Sequence, residues 1–176
     1  MSTDPRYPIG KFAAQKSYTS SDLSGFLERI ESLPARLEIA VTGLSDVQLD
    51  SPYREGGWTI RQVVHHVADS HMNAYVRVKW CMTEEKPVIK AYNEKTWATT
   101  PETSSDPYIS LTFLKALHAK WVILLRSLSA TDRSRQFVHP ETRRSFNLDQ
   151  LIAMYAWHGD HHLAHITEVK KRLQWN

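Results

Sequence analysis

The segment from Asn147 to Leu173 constrains the fold most, because it reads as one long amphipathic helix with histidines on its buried face. Leu148, Leu151, Tyr155, Ile166, Val169 and Leu173 recur on one stripe at helical spacing. Inside that pattern runs Trp157-His158-Gly159-Asp160-His161-His162-Leu163-Ala164-His165-Ile166. At roughly 100° per residue, with His158 as zero, His162 falls at about 40° and His165 at about 340°, so these three imidazoles share the apolar stripe while His161 sits to its side. Such a helix needs other helices to cover its stripe, and its imidazoles need hydrogen-bond partners or a metal, because an unpaired buried polar group is costly.

A single inward histidine is ordinarily a satisfied core residue, whereas an inward pair at i, i+4 such as His158 and His162 has the spacing of two ligands on one helix turn. The pair is similar to the two-histidine helix of zinc metalloproteases, in which a glutamate follows the first histidine and acts as base. Here that position is Gly159, and Asp160 points to nearly the opposite face. The protease reading therefore lacks its base.

Three further helical segments accompany this one. The first runs from about Ser20 to Gly43, with Leu23, Phe26, Leu27, Ile30, Leu33, Leu37 and Val41 in register. Pro34 lies inside it and predicts a kink or a division, since proline lacks a donor and crowds the preceding turn. Ser45-Asp46-Val47-Gln48 has the form of a capping box for a brief extra turn. The second long segment opens at Thr59 with Gln62 and runs to about Met82; the third opens at Asp106-Pro107 and continues through Leu111, Leu114, Leu117, Trp121, Leu124 and Leu128. Asn147 with Gln150 opens the fourth. The expected architecture is a single domain over residues 1–176, an all-α four-helix bundle with long inter-helix loops.

Two connections, 84–105 and 131–146, exceed the usual length between bundle helices and are expected to be covers or binding surfaces. The first carries Tyr92, Trp97, Pro87 and Pro101; the second carries His139-Pro140 and the pair Arg143-Arg144. Composition narrows the function classes. A net charge of +3 with 19 acids interspersed, and no basic run with interleaved aromatics, argues against nucleic acid as the partner. No run of ~18 apolar residues and no signal-peptide order at the N-terminus point to a cytoplasmic protein without a membrane partner. Cys81, the one cysteine, excludes an intrachain disulfide and falls with Val63, Val67, Ala74 and Val78, a core position.

A third metal ligand must come from a neighbouring helix, and the second segment offers His65, His66 and His71. On the helical wheel His65 faces away from the apolar stripe, towards solvent. His66 lies at the stripe's edge and His71 nearer its middle, and periodicity slightly favours His71.

The segment from Gly57-Trp58-Thr59-Ile60 through His65-His66-Val67-Ala68-Asp69-Ser70-His71-Met72-Asn73, the N-terminal Tyr7-Pro8-Ile9-Gly10 and the run from Trp157 to Ile166 together resemble the YfiT branch of the DinB-like superfamily. The resemblance covers almost the whole chain. It implies a four-helix bundle that binds one divalent ion, zinc or nickel, through three histidines, which by position are His66, His158 and His162. It also implies a homodimer. His165 is expected to be a core residue or a hydrogen-bond partner of a ligand, and Asn73 is the polar residue expected nearest the metal.

The same resemblance implies one of two activities: metal-dependent hydrolysis, or S-transfer joining a low-molecular-weight thiol such as bacillithiol to an electrophile. A bound divalent ion serves both, by lowering the pKa of a coordinated water or by deprotonating a coordinating thiol. The missing acid at position 159 favours the thiol, which needs no separate base. A carboxylate-bearing thiol would require cationic anchors, for which Arg61, Arg77, Lys79, Arg143 and Arg144 are available. Two readings of another class remain: a non-catalytic metal-binding bundle, and a phosphotransfer bundle with His65 as the exposed acceptor.

Overall fold

A computed structural model describes residues 4–175, so the N-terminal reading at Met1 to Thr3 lies outside the described residues. Ten elements follow in order: α1 (Ser20–Val41), α2 (Asp46–Leu49), α3 (Ile60–Thr83), α4 (Glu94–Trp97), a 3-10 turn (Pro101–Ser104), α5 (Pro107–Ser127), α6 (Ala130–Arg133), strands β1 (Gln136–His139) and β2 (Arg144–Asn147), and α7 (Leu148–Arg172). The starts follow the cap chemistry. Thr59 with Gln62 and Asn147 with Gln150 each form a reciprocal capping box, and the Asp106 carboxylate accepts from the Tyr108 amide ahead of Pro107.

The four long helices form the bundle. α1 and α3 each pack on both α5 and α7, which places the sequential partners α1 and α3 diagonally and requires the chain to cross the end of the bundle between them. One apolar cluster joins Ile30, Ala74, Val78, Trp121, Leu125, Leu151 and Tyr155; a second joins Leu33, Leu37, Val63, Val67, Leu114, Ile166 and Val169. His71 on α3 and His118 on α5 pack edge-on against Trp121 of the first cluster, and His158 on α7 lies against its Tyr155, one turn before His162. α5 is long and apolar enough by composition to cross a membrane, yet here it buries Leu111, Leu114, Leu117, Trp121, Val122 and Leu125 in the bundle.

Pro34 neither divides α1 nor leaves it, and the helix runs through it unbroken. The structure departs from expectation at Leu173, which caps α7 and is 45 % exposed instead of continuing its buried stripe. The second long connection also contains an antiparallel hairpin that helical periodicity did not indicate, pairing Gln136 with Asn147 through His139 with Arg144 and turning with Arg143 at φ 54°. The first connection docks on it: the Ile89 amide donates to the Val138 carbonyl at 3.1 Å, and the Val138 amide to the Pro87 carbonyl at 2.9 Å. Both long connections are thereby held together on one side of the bundle.

Candidate metal centre

Two helices place three imidazoles around one point. His158 and His162 stand one turn apart on α7, His66 comes from α3, and one ring nitrogen from each lies within 4.8 Å of the others. His66 Nε2 and His158 Nε2 are 3.4 Å apart. A tetrahedral ion with nitrogen ligands at ~2.0–2.1 Å would space them about 3.3–3.4 Å apart, so the donor set fits a divalent ion of the zinc class. The rings are also in the protonation state that ligation needs. Burial disfavours the imidazolium, pushing His66 down to about 4 and His158 and His162 well below their ordinary value, with repulsion between the rings adding to the effect.

The tautomers follow from a chain of hydrogen bonds behind His158. Pro34 has no N–H, so the carbonyl of Ile30, four residues earlier, has no donor from its own helix. His118 Nδ1 donates to that carbonyl at 2.6 Å. A carbonyl only accepts, so His118 carries its proton on Nδ1 and its Nε2 accepts from His71 Nδ1 at 3.0 Å. His71 Nε2 then accepts from His158 Nδ1 at 3.2 Å. His158 is left with a bare Nε2 lone pair facing the cluster. His162 is set in the same manner: His165 Nε2 donates to the Arg6 carbonyl at 3.4 Å, and His162 Nδ1 donates to His165 Nδ1 at 3.4 Å, which frees His162 Nε2. Partners of this kind orient ligand rings and raise their basicity.

These contacts sort the histidines that the wheel left open. His66 joins the cluster and His71 stands behind it. His165 is a hydrogen-bond partner that also stacks on Tyr53 at 4.0 Å. His65 departs from expectation: it is 5 % exposed, because the 3-10 turn and α5 cover that face, with Nδ1 against Ser110 Oγ at 2.7 Å and Nε2 against the Ser105 carbonyl at 3.3 Å. It offers no exposed phosphate acceptor. His161 stacks on Trp157 at 4.5 Å. The structure does not bring Asn73 into the cluster; its amide donates to the Asp69 carbonyl of its own helix at 2.8 Å. His118 escaped sequence reading altogether, although Pro34 signals that some donor must reach Ile30.

The absent acid on α7 has a packing cause. A Cβ at Gly159 would overlap Leu33 Cδ2 and lie 3.1 Å from Cδ1, so the buried Leu33 side chain fills the space that a larger residue at 159 would need. Asp160 is turned outward to Arg29 at 2.6 Å and Arg36 at 2.7 Å.

His158 also lines a cavity of about 710 Å³, which the two long connections wall through Tyr92, Glu94, His139 and Phe146. Its size is that of a small-molecule site. Of the proposed cationic anchors, Arg61 is removed by its ion pairs to Asp50 at 2.7 Å and Asp46 at 2.9 Å, and Arg77 alone lines the cavity. Cys81 is buried in the first apolar cluster, where burial raises its thiol pKa.

The model of the DinB superfamily matches residues 29–166. The chain belongs to the DinB superfamily. Within it, the chain is 49 % identical over 172 residues to a Bacillus cereus protein named "Putative metal-dependent hydrolase", spanning 98 % of this chain and 99 % of that one. A Bacillus thuringiensis relative of the same description matches equally. Among solved structures, YfiT from Bacillus subtilis, described as a probable metal-dependent hydrolase with an unusual four-helix bundle topology, superposes with a TM-score of 0.97 at 43 % identity, covering 99 % of this chain and all of that one. The mycothiol-dependent maleylpyruvate isomerase is similar in fold, at a TM-score of 0.66 and 15 % identity, over 85 % of this chain and 63 % of that one.

Proposed function

We propose that this chain is a divalent-metal-dependent enzyme of small-molecule chemistry, with His66, His158 and His162 holding one zinc or nickel ion, and that it joins a low-molecular-weight thiol to an electrophile. The observation that carries the reading is the convergence of three neutral imidazoles beside a cavity of small-molecule size. Three protein ligands leave coordination positions for water or substrate, as catalytic sites do and closed structural sites do not. The ion would deprotonate a coordinating thiol at neutral pH, or lower the pKa of a water. The protein's part is to hold the rings in one tautomer through His71 and His165, and to leave room for the two reactants in the cavity beside His158. Thiol transfer is favoured over hydrolysis because position 159 is closed to an acid by Leu33 and Asp160 is tied to α1.

Metal-dependent hydrolysis is the second reading, supported by the names of the Bacillus relatives and by Glu94, a cavity carboxyl raised above its ordinary value by burial. Under either reading we propose a cytoplasmic homodimer, checked by molar mass in solution. The deciding experiment follows a halobimane or an epoxide with and without a small thiol, bacillithiol and glutathione among them. Consumption that requires thiol and vanishes in His158→Ala is expected. Efficient metal-dependent cleavage of an ester or amide with no thiol present would replace this reading by the hydrolase.

A further inference from the structure

Arg61 and Arg77 are the two buried arginines among the described residues, at 7 % and 8 % exposure. Arg61 has two carboxylates. Arg77 has none within ion-pair distance: its Nη1 donates to the Tyr155 hydroxyl at 3.2 Å and its Nη2 to the Lys90 carbonyl at 3.4 Å, while its Nε is buried with no partner. A guanidinium has five N–H donors, so Nε–H and one hydrogen on each Nη are left over. A buried cation lacking a counter-charge is costly, and a protein retains one where a ligand supplies the missing anion.

The cavity shows where that ligand would lie. Arg77 and His158 line the same 710 Å³ space, with Tyr155 between them on α7 and Phe137, Phe146 and Met154 forming apolar wall. The other charged or titratable groups facing it are Tyr92, Glu94, Lys95, His139 and Glu141, all from the two long connections. Glu94, on the turn α4, is near enough for the Arg77 guanidinium to offset part of the burial that raises its carboxyl, yet it makes no hydrogen bond or ion pair with Arg77, whose side-chain partners are Tyr155 and Lys90.

We propose that Arg77 anchors a carboxylate of the small molecule that reacts at the histidine cluster, and hence that the site takes acid-bearing substrates with an apolar body. The inference rests on the histidine cluster being the reacting centre. Arg77 lines the cavity, and the guanidinium hydrogens left after its bonds to Tyr155 and Lys90 can donate to a carboxylate there, beside an apolar wall that suits the rest of the molecule. Arg77 thereby sets both the charge of the substrate and which end points at His158.

The test is calorimetric titration of the protein as purified with 3-phenylpropanoate and its neutral isostere 3-phenylpropanamide, with no thiol or electrophile present. In the wild type the acid is expected to bind at least about tenfold more tightly than the amide, as a charge-assisted pair allows. In Arg77→Met the two should bind within about twofold of each other, with the melting temperature held or raised because an unpaired buried charge has been removed. Equal binding of acid and amide to the wild type, or an acid preference that persists in Arg77→Met, would overturn the proposal. If Arg77→Met does not fold, Arg77→Lys carries the test: the preference should fall at least about threefold, and an unchanged preference overturns the proposal. Failure of thiol transfer leaves these titrations standing, and loss of the acid preference leaves thiol transfer standing.

Discussion

Replacing Gly159 with Ala tests the packing of the Leu33 side chain of α1 against α7, one residue from His158. At an unobstructed helical site the exchange stabilises by about 1 kcal/mol, the difference in helix propensity. Here the new methyl would overlap Leu33 Cδ2, with Leu33 Cδ1 at 3.1 Å and Cγ at 3.3 Å, well inside the ~3.5–4.0 Å of comfortable carbon contacts. Leu33 is 1 % exposed and cannot swing into solvent. Overpacking of a dense core costs about 1–3 kcal/mol, and an overlap this large belongs at or beyond the upper end. The net expectation is a loss of about 2 kcal/mol or more, which for a domain of this size lowers the melting temperature by at least roughly 4–8 °C. Leu33→Ala alone should cost about 2–5 kcal/mol through the cavity it leaves. In that background the added methyl has room, so Gly159→Ala should become neutral or stabilising. Urea denaturation of the four proteins of the cycle measures this reversal of sign. Stabilisation of the wild type by Gly159→Ala, or the same loss in both backgrounds, would refute the idea that Leu33 dictates glycine at this position.

The hydrogen-bond chain predicts that His158 is protonated on Nδ1, visible in the ring-nitrogen shifts of labelled protein; His71→Leu should lower metal affinity about 10–100-fold while leaving one ion per chain, and an unchanged affinity would contradict it. Acid should destabilise the protein in chelating buffer, with His118 a separable contributor. Its folded pKa of about 4 lies below the ordinary 6.5, so the unfolded chain takes up the proton first, and stability that is full above 6.5 is lost as pH falls towards 4. At pH 5 that loss is about 2 kcal/mol for this group, and His118→Phe, though less stable at pH 7, should show a correspondingly flatter pH dependence in urea melts; an undiminished slope in the variant would count against the assignment.

The four helices and their starts were legible because cap residues and apolar periodicity act locally: Thr59 with Gln62 needs nothing beyond its own turn. The hairpin was not legible, because its short strands alternate weakly and are held by Pro87 and Ile89 from a distant connection. At the site, the inward pair His158 and His162 could be read from one helix alone. Choosing His66 over His71 could not, since both lie near the stripe and the choice depends on how α3 is rotated against α7. His65 was misjudged for a related reason: its face is polar on the wheel, but residues 105 and 110 cover it, and covering by another segment leaves no trace in a helix's own periodicity. The role of Arg77 depends likewise on which carboxylates fail to reach it.

Metal stoichiometry measured with Zn²⁺ on untagged protein tests the central claim most directly. The wild type, His65→Ala and Asn73→Ala should each bind one ion per chain, while His66→Ala, His158→Ala and His162→Ala, each confirmed folded by circular dichroism, should lose it. Retention of a tightly bound ion by His66→Ala together with its loss in His71→Ala would move the third ligand along α3 and contradict the site described above.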